Sequence, residues 1–207
     1  MAWIDVEQNT DEWMELRAGR VGGSSIGKIM ANYPKAFGKP AQDYAIQTAI
    51  ERIRGHQSEN GYTNAHMERG HEQEPVARQM YEDYTFSEVT NGGYYAVDDM
   101  RGSSPDGLVY EDGLIEIKCV IETVHFATVK RESFDPKYKW QLAFNLDCSG
   151  RKWIDYVQYC ATFPEGKRLF VQRLYRPFVA DLIGLIDKRL IEFEHLVTSN
   201  MEIIDNA

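Results

Sequence analysis

The stretch SSPDGLVYEDGLIEIKC, at residues 103–119, constrains the fold of this chain more than any other. A short apolar run, LVY at 108–110, is followed by Asp112-Gly113 and then by the alternating run LIEIK at 114–118. Asp-Gly between two strand-like runs is a strong signal for a tight turn. The stretch therefore predicts a β-hairpin with its turn near Asp112-Gly113.

This hairpin would gather charged side chains at one end of a sheet. Residues two apart in a strand point to the same face, so Glu116 and Lys118 share one face. The isoleucines beside them point to the opposite face, toward a core. The turn folds the start of the first strand back beside the end of the second, which brings Asp106 to the same end of the sheet.

Two carboxylates held together repel each other, and a divalent cation would relieve that repulsion. Hard Mg²⁺ prefers oxygen ligands, which Asp106, Glu116 and the backbone carbonyl of Ile117 could supply. Lys118 would then orient a metal-bound water or help it lose a proton, as in the hydrolysis of a phosphodiester. A half-exposed strand after an ordinary Pro-Asp-Gly turn has the same pattern, and spacing alone does not decide between the two.

The rest of the chain predicts helices around a small central sheet, an α/β or α+β architecture in one domain of residues 1–207. Periodicity and capping signals predict helices at 12–19 after a cap at Thr10 or Asp11, from an N-cap at Ser24 to Met30, and at 42–54, 64–84, 123–130, 137–146 and 176–198. Pro75 disturbs the helix at 64–84, either as a kink or as the first turn of a second segment. Strand-like patterns cover 91–98, 153–162 and 169–174.

Composition limits the class of protein. The net charge of −9, from 23 basic and 32 acidic residues, argues against a general nucleic-acid coat protein. It is compatible with an enzyme that meets DNA in one basic groove and has an acidic metal site. No apolar run approaches the length of a membrane span, and the first ten residues do not resemble a signal peptide, so we expect a cytoplasmic protein. The three cysteines form no CxxC pair and predict buried thiols.

Several motifs, in order, resemble one nuclease family. Pro105-Asp106 followed by EIK at 116–118 matches the PD-(D/E)xK nuclease signature, and the longer string GSSPDGLV…GLIEIKC resembles the phage-type recombination exonucleases of the lambda exonuclease or YqaJ-like family. The segments WMELRAGRVGGSS at 13–25, GHEQEPVA at 70–77, YKWQ at 138–141 and WIDY at 153–156 resemble further motifs of that family. The resemblance covers about residues 11–159 and implies a PD-(D/E)xK restriction-endonuclease-like core.

The resemblance also implies roles for individual residues. Glu74 would add a third carboxylate to the metal site, from a helix, and Gln141 would contact or organise the site. Arg17 and Ser24 would recognise a terminal 5′-phosphate, with Ser25 able to share that role. This is physically reasonable, because arginine offers a planar fork to phosphate and a helix N-terminus offers free N–H groups.

Each of these residues also has a simpler interpretation. Glu74 is next to Pro75 and would suit the first turn of a helix. Arg17 would suit an exposed helix C-terminus, and Ser24 would suit a simple N-cap. Gln141 would suit an ordinary helix surface.

The favoured hypothesis is a Mg²⁺- or Mn²⁺-dependent deoxyribonuclease with one or two ions per site. It would degrade linear double-stranded DNA from 5′ to 3′, releasing 5′-mononucleotides and leaving 3′ single-stranded tails for recombination. The alternatives are a structure- or sequence-specific endonuclease with the same metal chemistry, and a non-catalytic module that binds DNA ends. The resemblance further implies a ring-shaped homo-oligomer, a trimer, and a single-strand annealing partner. Candidates for the basic inner surface are Lys28, Lys35, Arg52, Arg54 and Lys137.

Overall fold

The computed structural model describes residues 2–58 and 65–207, without side-chain detail for residues 65–68 and 71. The α-helices are α1 (Asp11–Arg17), α2 (Gly23–Met30), α3 (Lys39–Arg54), α4 (Ala65–Thr85), α5 (Glu122–Arg131), α6 (Lys139–Ser149) and α7 (Ala180–Asp205). The strands are β1 (Ala2–Ile4), β2 (Val89–Thr90), β3 (Tyr94–Ala96), β4 (Gly102–Ser103), β5 (Gly107–Val109), β6 (Gly113–Cys119), β7 (Trp153–Tyr159) and β8 (Leu169–Tyr175). Two 3-10 segments, Pro136–Tyr138 and Arg176–Val179, precede α6 and α7.

Five strands form the central sheet in the order β2-β5-β6-β7-β8. β6 and β7 are parallel, and the other neighbouring pairs are antiparallel. Parallel neighbours require a crossover connection, which α5 and α6 supply. The mixed central sheet with flanking helices confirms the predicted α+β class. A second sheet, β1-β3-β4, brings the N-terminus against the middle of the chain, and the sequence patterns did not predict it.

Helices cover both faces of the central sheet at β6. On one face, Ile115 and Ile117 pack with Ala77 and Tyr81 of α4. On the other face, Leu114 belongs to a larger core that includes buried residues of α2, α3, α6 and α7. The predicted alternation of β6 is therefore correct. The half-exposed strand is wrong, because residues 113–117 are all buried.

The hairpin of β5 and β6 forms as predicted, but its turn differs. Gly113 is the first residue of β6 and pairs with Val109, so the connection consists of residues 110–112. Tyr110 adopts a positive φ of 49° in this turn. The indole of Trp153 lies where a Cβ of Gly113 would be, 2.1 Å from Cζ2, so only glycine allows this strand start.

Other element boundaries also differ from the predictions. The strand predicted at 91–98 shortens to Tyr94–Ala96, because Gly93 has a positive φ of 59°. The last helix begins later and ends later than the predicted 176–198, at Ala180–Asp205. Helix α4 continues through Pro75, so no new helix begins there; its predicted start at Asn64 lies outside the described residues.

Two further observations concern composition. Cys148 and Cys160 are buried free thiols as predicted, whereas Cys119 is only half-buried. No helix among the described residues combines the length and the apolar character that a membrane crossing requires.

Candidate active site

The hairpin brings Asp106 directly beside the end of β6. The Asp106 N–H donates to the carbonyl of Ile115 at 3.2 Å, and the Ile117 N–H donates to Oδ2 of Asp106 at 2.6 Å. The N–H and C=O of one strand residue point to the same edge, so the Ile117 carbonyl also faces the side of Asp106. That edge extends beyond the last paired residue of β5, Gly107, which is opposite Ile115.

Glu116 lies at the centre of a hydrogen-bond cluster on the face of β6 opposite to Ile115 and Ile117. Its side chain is buried, with 1% exposure. Lys118 Nζ and Gln141 Nε2 each donate to Oε1 at 2.5 Å, and Asn145 Nδ2 donates to Oε2 at 2.8 Å. Because Gln141 holds a buried carboxylate, the interpretation of it as an ordinary surface amide is wrong.

Glu74 approaches the site from α4. It lies inside this helix and not in a first turn, so the simpler interpretation of Glu74 is wrong. Arg78, one turn later, has Nη2 3.8 Å from Oε1 of Glu74 and also donates to the backbone carbonyl of Asp106. Glu74, Arg78 and Asp106 line a cavity of about 440 Å³ that opens beside the end of β6.

The electrostatics of the cluster reflect burial and crowding of acids. Burial, followed by the charge of Asp106, raises the pKa of Glu116 to about 7 and that of Glu74 to about 7. Burial also raises the pKa of Asp106. Burial alone would lower the pKa of Lys118, but Glu116 and Asp106 together raise it above its ordinary value. Lys118 thus stays an ammonium group next to acids whose charges need further compensation.

The donor set fits a hard divalent cation. Asp106, Glu116, Glu74 and the Ile117 carbonyl offer oxygen atoms only, which Mg²⁺ and Mn²⁺ prefer. Within the described residues, no three acidic, histidine or cysteine side chains are already arranged as a metal site. Glu116 and Asp106 instead accept hydrogen bonds from Lys118, Gln141, Asn145 and the Ile117 N–H.

Asn145 is a site residue that the sequence analysis missed. It lies on α6 one turn after Gln141, so the helical spacing of four could have identified it. Its side chain also contacts Gly23, since a Cβ on Gly23 would lie 2.5 Å from Asn145 Oδ1 and 3.6 Å from Gln141 Cγ. The first turn of α2 therefore packs directly against the two amides that hold Glu116.

Arg17 lies next to the same turn of α2. It is the last residue of α1, and a Cβ on Gly22 would be 3.5 Å from its Nη2. Its guanidinium stacks 4.0 Å over the ring of Trp13, and its Nε is buried without a hydrogen-bond partner in the described structure. Burial lowers the pKa of Arg17. The interpretation of Arg17 as an exposed helix-end cation is therefore wrong.

The two serines of this segment differ from each other. Gly22 is the N-cap of α2, so the interpretation of Ser24 as an N-cap is wrong. Ser24 is exposed in the first turn of α2, and Ser25 is half-buried. Both remain next to the helix N-terminus, where backbone N–H groups favour an anion.

The basic candidates for a DNA-facing surface are placed differently. Arg52 forms a bidentate ion pair with Glu194 at 2.5 and 2.9 Å and is not available on an open surface. Lys28, Lys35 and Arg54 are exposed. Lys137 lines a cavity that also contains Lys118, so it is the candidate nearest the site.

Known proteins resemble this chain across nearly its whole length. The sequence profile of the YqaJ-like viral recombinase domain matches residues 12–152. The alkaline exonuclease LHK-Exo from Laribacter hongkongensis is 32% identical, with a TM-score of 0.83 and coverage of 95% of this chain and 97% of that one. Its complex with dAMP gives 33% identity and the same TM-score and coverage.

A more distant structure shares the fold alone. A phage-related exonuclease from Haemophilus somnus 129PT has 15% identity and a TM-score of 0.68, with coverage of 91% of this chain and 96% of that one. No curated protein matches the sequence significantly.

Proposed function

The chain belongs to the family of YqaJ-like viral recombinase domains and has an exonuclease fold, and we propose that it digests linear double-stranded DNA from 5′ ends with Mg²⁺ or Mn²⁺. Each cycle would release one 5′-mononucleotide and extend a 3′ single-stranded tail. The solved complex of the relative LHK-Exo with dAMP agrees with a mononucleotide product.

One observation supports action at DNA ends above all. Arg17 is half-buried, its buried Nε has no hydrogen-bond partner among the described residues, and its guanidinium lies beside the N-terminus of α2. A buried N–H of a cationic group that has no acceptor favours an anion, and a helix N-terminus adds free donors. A terminal 5′-phosphate would bind here, with Ser24 and Ser25 as further hydroxyl donors, and we call Arg17 with residues 22–25 the end pocket. An endonuclease has no use for such a pocket.

The end pocket packs directly against the acidic cluster. Gly23 of the pocket touches Asn145, and Asn145 holds Glu116. A DNA end seated on Arg17 would therefore leave its first phosphodiester close to Glu116 and Lys118. This fixed distance favours removal of one nucleotide at a time.

Each residue of the cluster has a distinct proposed role. Asp106, Glu116, Glu74 and the Ile117 carbonyl would hold one or two metal ions, and a bound ion supplies a Lewis acid and an activated water. Gln141 keeps the Glu116 carboxylate in position. Lys118 is the only ammonium group bonded to that carboxylate in the described structure, and it would hold the attacking water or take part in its deprotonation.

A digestion experiment tests this function. Three DNAs are compared with and without EDTA: linear duplex with 5′-phosphate, linear duplex with 5′-hydroxyl, and covalently closed circles. We expect rapid release of mononucleotides from the 5′-phosphorylated duplex, slow release from the 5′-hydroxyl duplex, and none with EDTA. Cutting of closed circles would instead identify an endonuclease.

Family membership leads to two further proposals. The chain would assemble as a ring-shaped trimer around DNA and act with a single-strand annealing protein in the cytoplasm. Mass measurement in solution tests the trimer, and co-purification with a defined annealing protein tests the partner.

A further inference from the structure

A second cavity, which Lys118 lines and Asp106 does not, has no role in the function proposed above. It has a volume of about 380 Å³. Lys118, Lys137 and Arg69 are its cationic lining residues, and Tyr138, Ile121 and Val124 provide aromatic and aliphatic surface. None of its described lining residues is acidic, although the whole chain has a net charge of −9.

This lining matches the chemistry of a nucleotide. The ring centroid of Tyr138 lies 5.7 Å from Lys118 Nζ and 4.9 Å from Lys137 Nζ, so two ammonium groups lie close to this aromatic ring. Bases stack on aromatic side chains, and phosphates bind cations. Ile121 and Val124 also line the cavity and add apolar surface.

Helix α6 contacts three parts of the site in succession: the end pocket, Glu116 and this cavity. Asn145 contacts Gly23 of the end pocket, Gln141 one turn earlier contacts Glu116, and Tyr138 at the N-cap lines the cavity. With a rise of about 1.5 Å per residue, the levels of Asn145 and Gln141 are about 6 Å apart, and those of Gln141 and Tyr138 about 4.5 Å. That spacing is comparable to the separation of consecutive phosphates along one strand.

We propose that this cavity binds the second nucleotide of the digested strand, the one on the 3′ side of the scissile phosphate. This proposal rests on the function proposed above. The strand then runs along α6 with its 5′-phosphate at Arg17, its first phosphodiester at Glu116 and its second base against Tyr138.

The products of the hydrolysis show how a subsite for the second nucleotide would help the enzyme. Water oxygen bonds to the scissile phosphorus, the bond from phosphorus to the 3′-oxygen breaks, and that oxygen leaves with a proton as the 3′-hydroxyl of the mononucleotide. The phosphate stays on the second nucleotide as the new 5′ end. Holding that nucleotide against Tyr138 keeps the DNA bound while the first nucleotide departs.

Duplexes with a single abasic nucleotide test the proposal. The probes are 5′-phosphorylated duplexes with a tetrahydrofuran abasic site at position 1, 2 or 6 of the digested strand. The measurement is the single-turnover rate of release of the first nucleotide. We expect wild-type protein to lose about tenfold in rate when position 2 is abasic, as for one lost stacking contact, and little when position 6 is abasic.

Variants assign this loss to the cavity. Tyr138→Leu should slow release from the intact duplex about tenfold and should show no further loss with the abasic site at position 2. Val124→Trp fills the cavity and should likewise give equal rates on the intact duplex and on the duplex that is abasic at position 2. This variant tests the proposal if Tyr138→Leu does not fold. Lys152→Ala is the control, since Lys152 is exposed at the opposite end of β7 and should keep the wild-type ratio.

Three outcomes overturn the inference. They are a wild-type rate that ignores the abasic site at position 2, losses that simply multiply in the Tyr138→Leu variant, and coupling of Tyr138 to position 1 instead of position 2. Failure of the wild-type protein to digest any 5′-phosphorylated duplex would overturn the proposed function itself. The two failures are therefore distinguishable.

Discussion

Asn145 donates from Nδ2 to Oε2 of Glu116 at 2.8 Å, while its own Oδ1 is buried without a hydrogen-bond partner in the described structure. The unsatisfied oxygen lies against Gly23 of α2. An amide held in this way has only one orientation that serves Glu116, because rotation would turn an oxygen toward a carboxylate. Asn145 is therefore a positioning residue for the acidic cluster, and its role depends on the helix packed against it.

Asn145→Ala should reduce exonuclease turnover by about 10- to 100-fold, since groups that orient a metal ligand typically matter by that amount. It should also lower the free energy of unfolding by about 1–3 kcal/mol, because a buried acceptor loses its donor. Steady-state kinetics and urea unfolding measure the two effects. Asn206→Ala, at the exposed C-terminus, is the control. Equal activity of the two variants would show that Asn145 does not position Glu116.

Gly23→Ala should impair activity through the same contact. An added Cβ would lie 2.5 Å from Asn145 Oδ1, so the amide must move away from Glu116. Gly27 is the matched control: it lies one turn later in α2, where an added Cβ meets nothing within 4 Å. Gly27→Ala should keep activity and raise the free energy of unfolding by up to about 1 kcal/mol, as alanine favours a helix.

Mg²⁺ should raise the melting temperature of the wild-type protein, because an ion that binds only the folded state stabilises it by about 3 kcal/mol at one hundred times its dissociation constant. Glu116→Gln should abolish this shift, since it removes a charged ligand. Lys118→Ala should keep a shift yet lose turnover, because it removes a positioned ammonium group and no proposed ligand. Differential scanning calorimetry at constant ionic strength measures the shift; turnover in Lys118→Ala would contradict its role.

The sequence predicted those parts of the site that depend on local periodicity. The strand period of two placed Glu116 and Lys118 on one face, and the hairpin brought Asp106 to the same end. Both follow from backbone geometry that a few neighbouring residues determine. The turn was predicted wrongly because the packing of Trp153 on Gly113 extends the strand by one residue, and Trp153 lies 40 positions later in the chain.

Tertiary contacts determine the remaining parts of the site, such as the placement of Arg17 and Arg52, and no local sequence pattern predicts these contacts. Arg17 ends α1, and its partial burial follows from packing against Trp13 and α2. Arg52 looked like a DNA-facing cation and instead pairs with Glu194, which is 142 residues away. Such pairings depend on the arrangement of α3 and α7, which the sequence of either helix alone does not specify.

The pairing of Arg52 leads to a prediction about the end pocket. Arg52 Nε donates to the carbonyl of Gly19 at 2.9 Å, and the Gly19 N–H donates to Glu51 Oε2 at 3.1 Å. Gly19 has a positive φ of 68° and lies in the turn directly after α1, two residues beyond Arg17. Arg52→Ala should therefore reduce the preference for 5′-phosphate over 5′-hydroxyl DNA by about five- to tenfold and destabilise the fold by about 1–3 kcal/mol.

The ratio of initial rates on the two DNAs measures this preference. Arg54→Ala is the matched control, since Arg54 lies in the same last turn of α3 but is exposed. Arg17→Ala should remove the preference entirely. An unchanged ratio in Arg52→Ala, together with a lost ratio in Arg17→Ala, would show that the Gly19 contact does not position the pocket.

His125 gives a prediction about stability and pH. Its ring is buried, and burial lowers its pKa below the ordinary value. Nε2 lies 3.0 Å from the Lys167 carbonyl and Nδ1 lies 3.2 Å from the Gln158 amide nitrogen. The neutral ring with its proton on Nε2 satisfies both contacts, whereas a second proton on Nδ1 would face another donor.

Because the unfolded state binds a proton more readily at His125, its contribution to stability is complete above about pH 6.5 and falls as the pH decreases below it. Glu74 and Glu116, whose pKa values are raised, contribute with the opposite sign, so the comparison must be a difference between variants. Urea unfolding at pH 7.5 and 5.5 should give a smaller difference between wild type and His125→Gln at the lower pH. A difference that is the same at both pH values would mean that His125 gains its proton as readily in the folded chain as in the unfolded one, and the assigned tautomer would then be wrong.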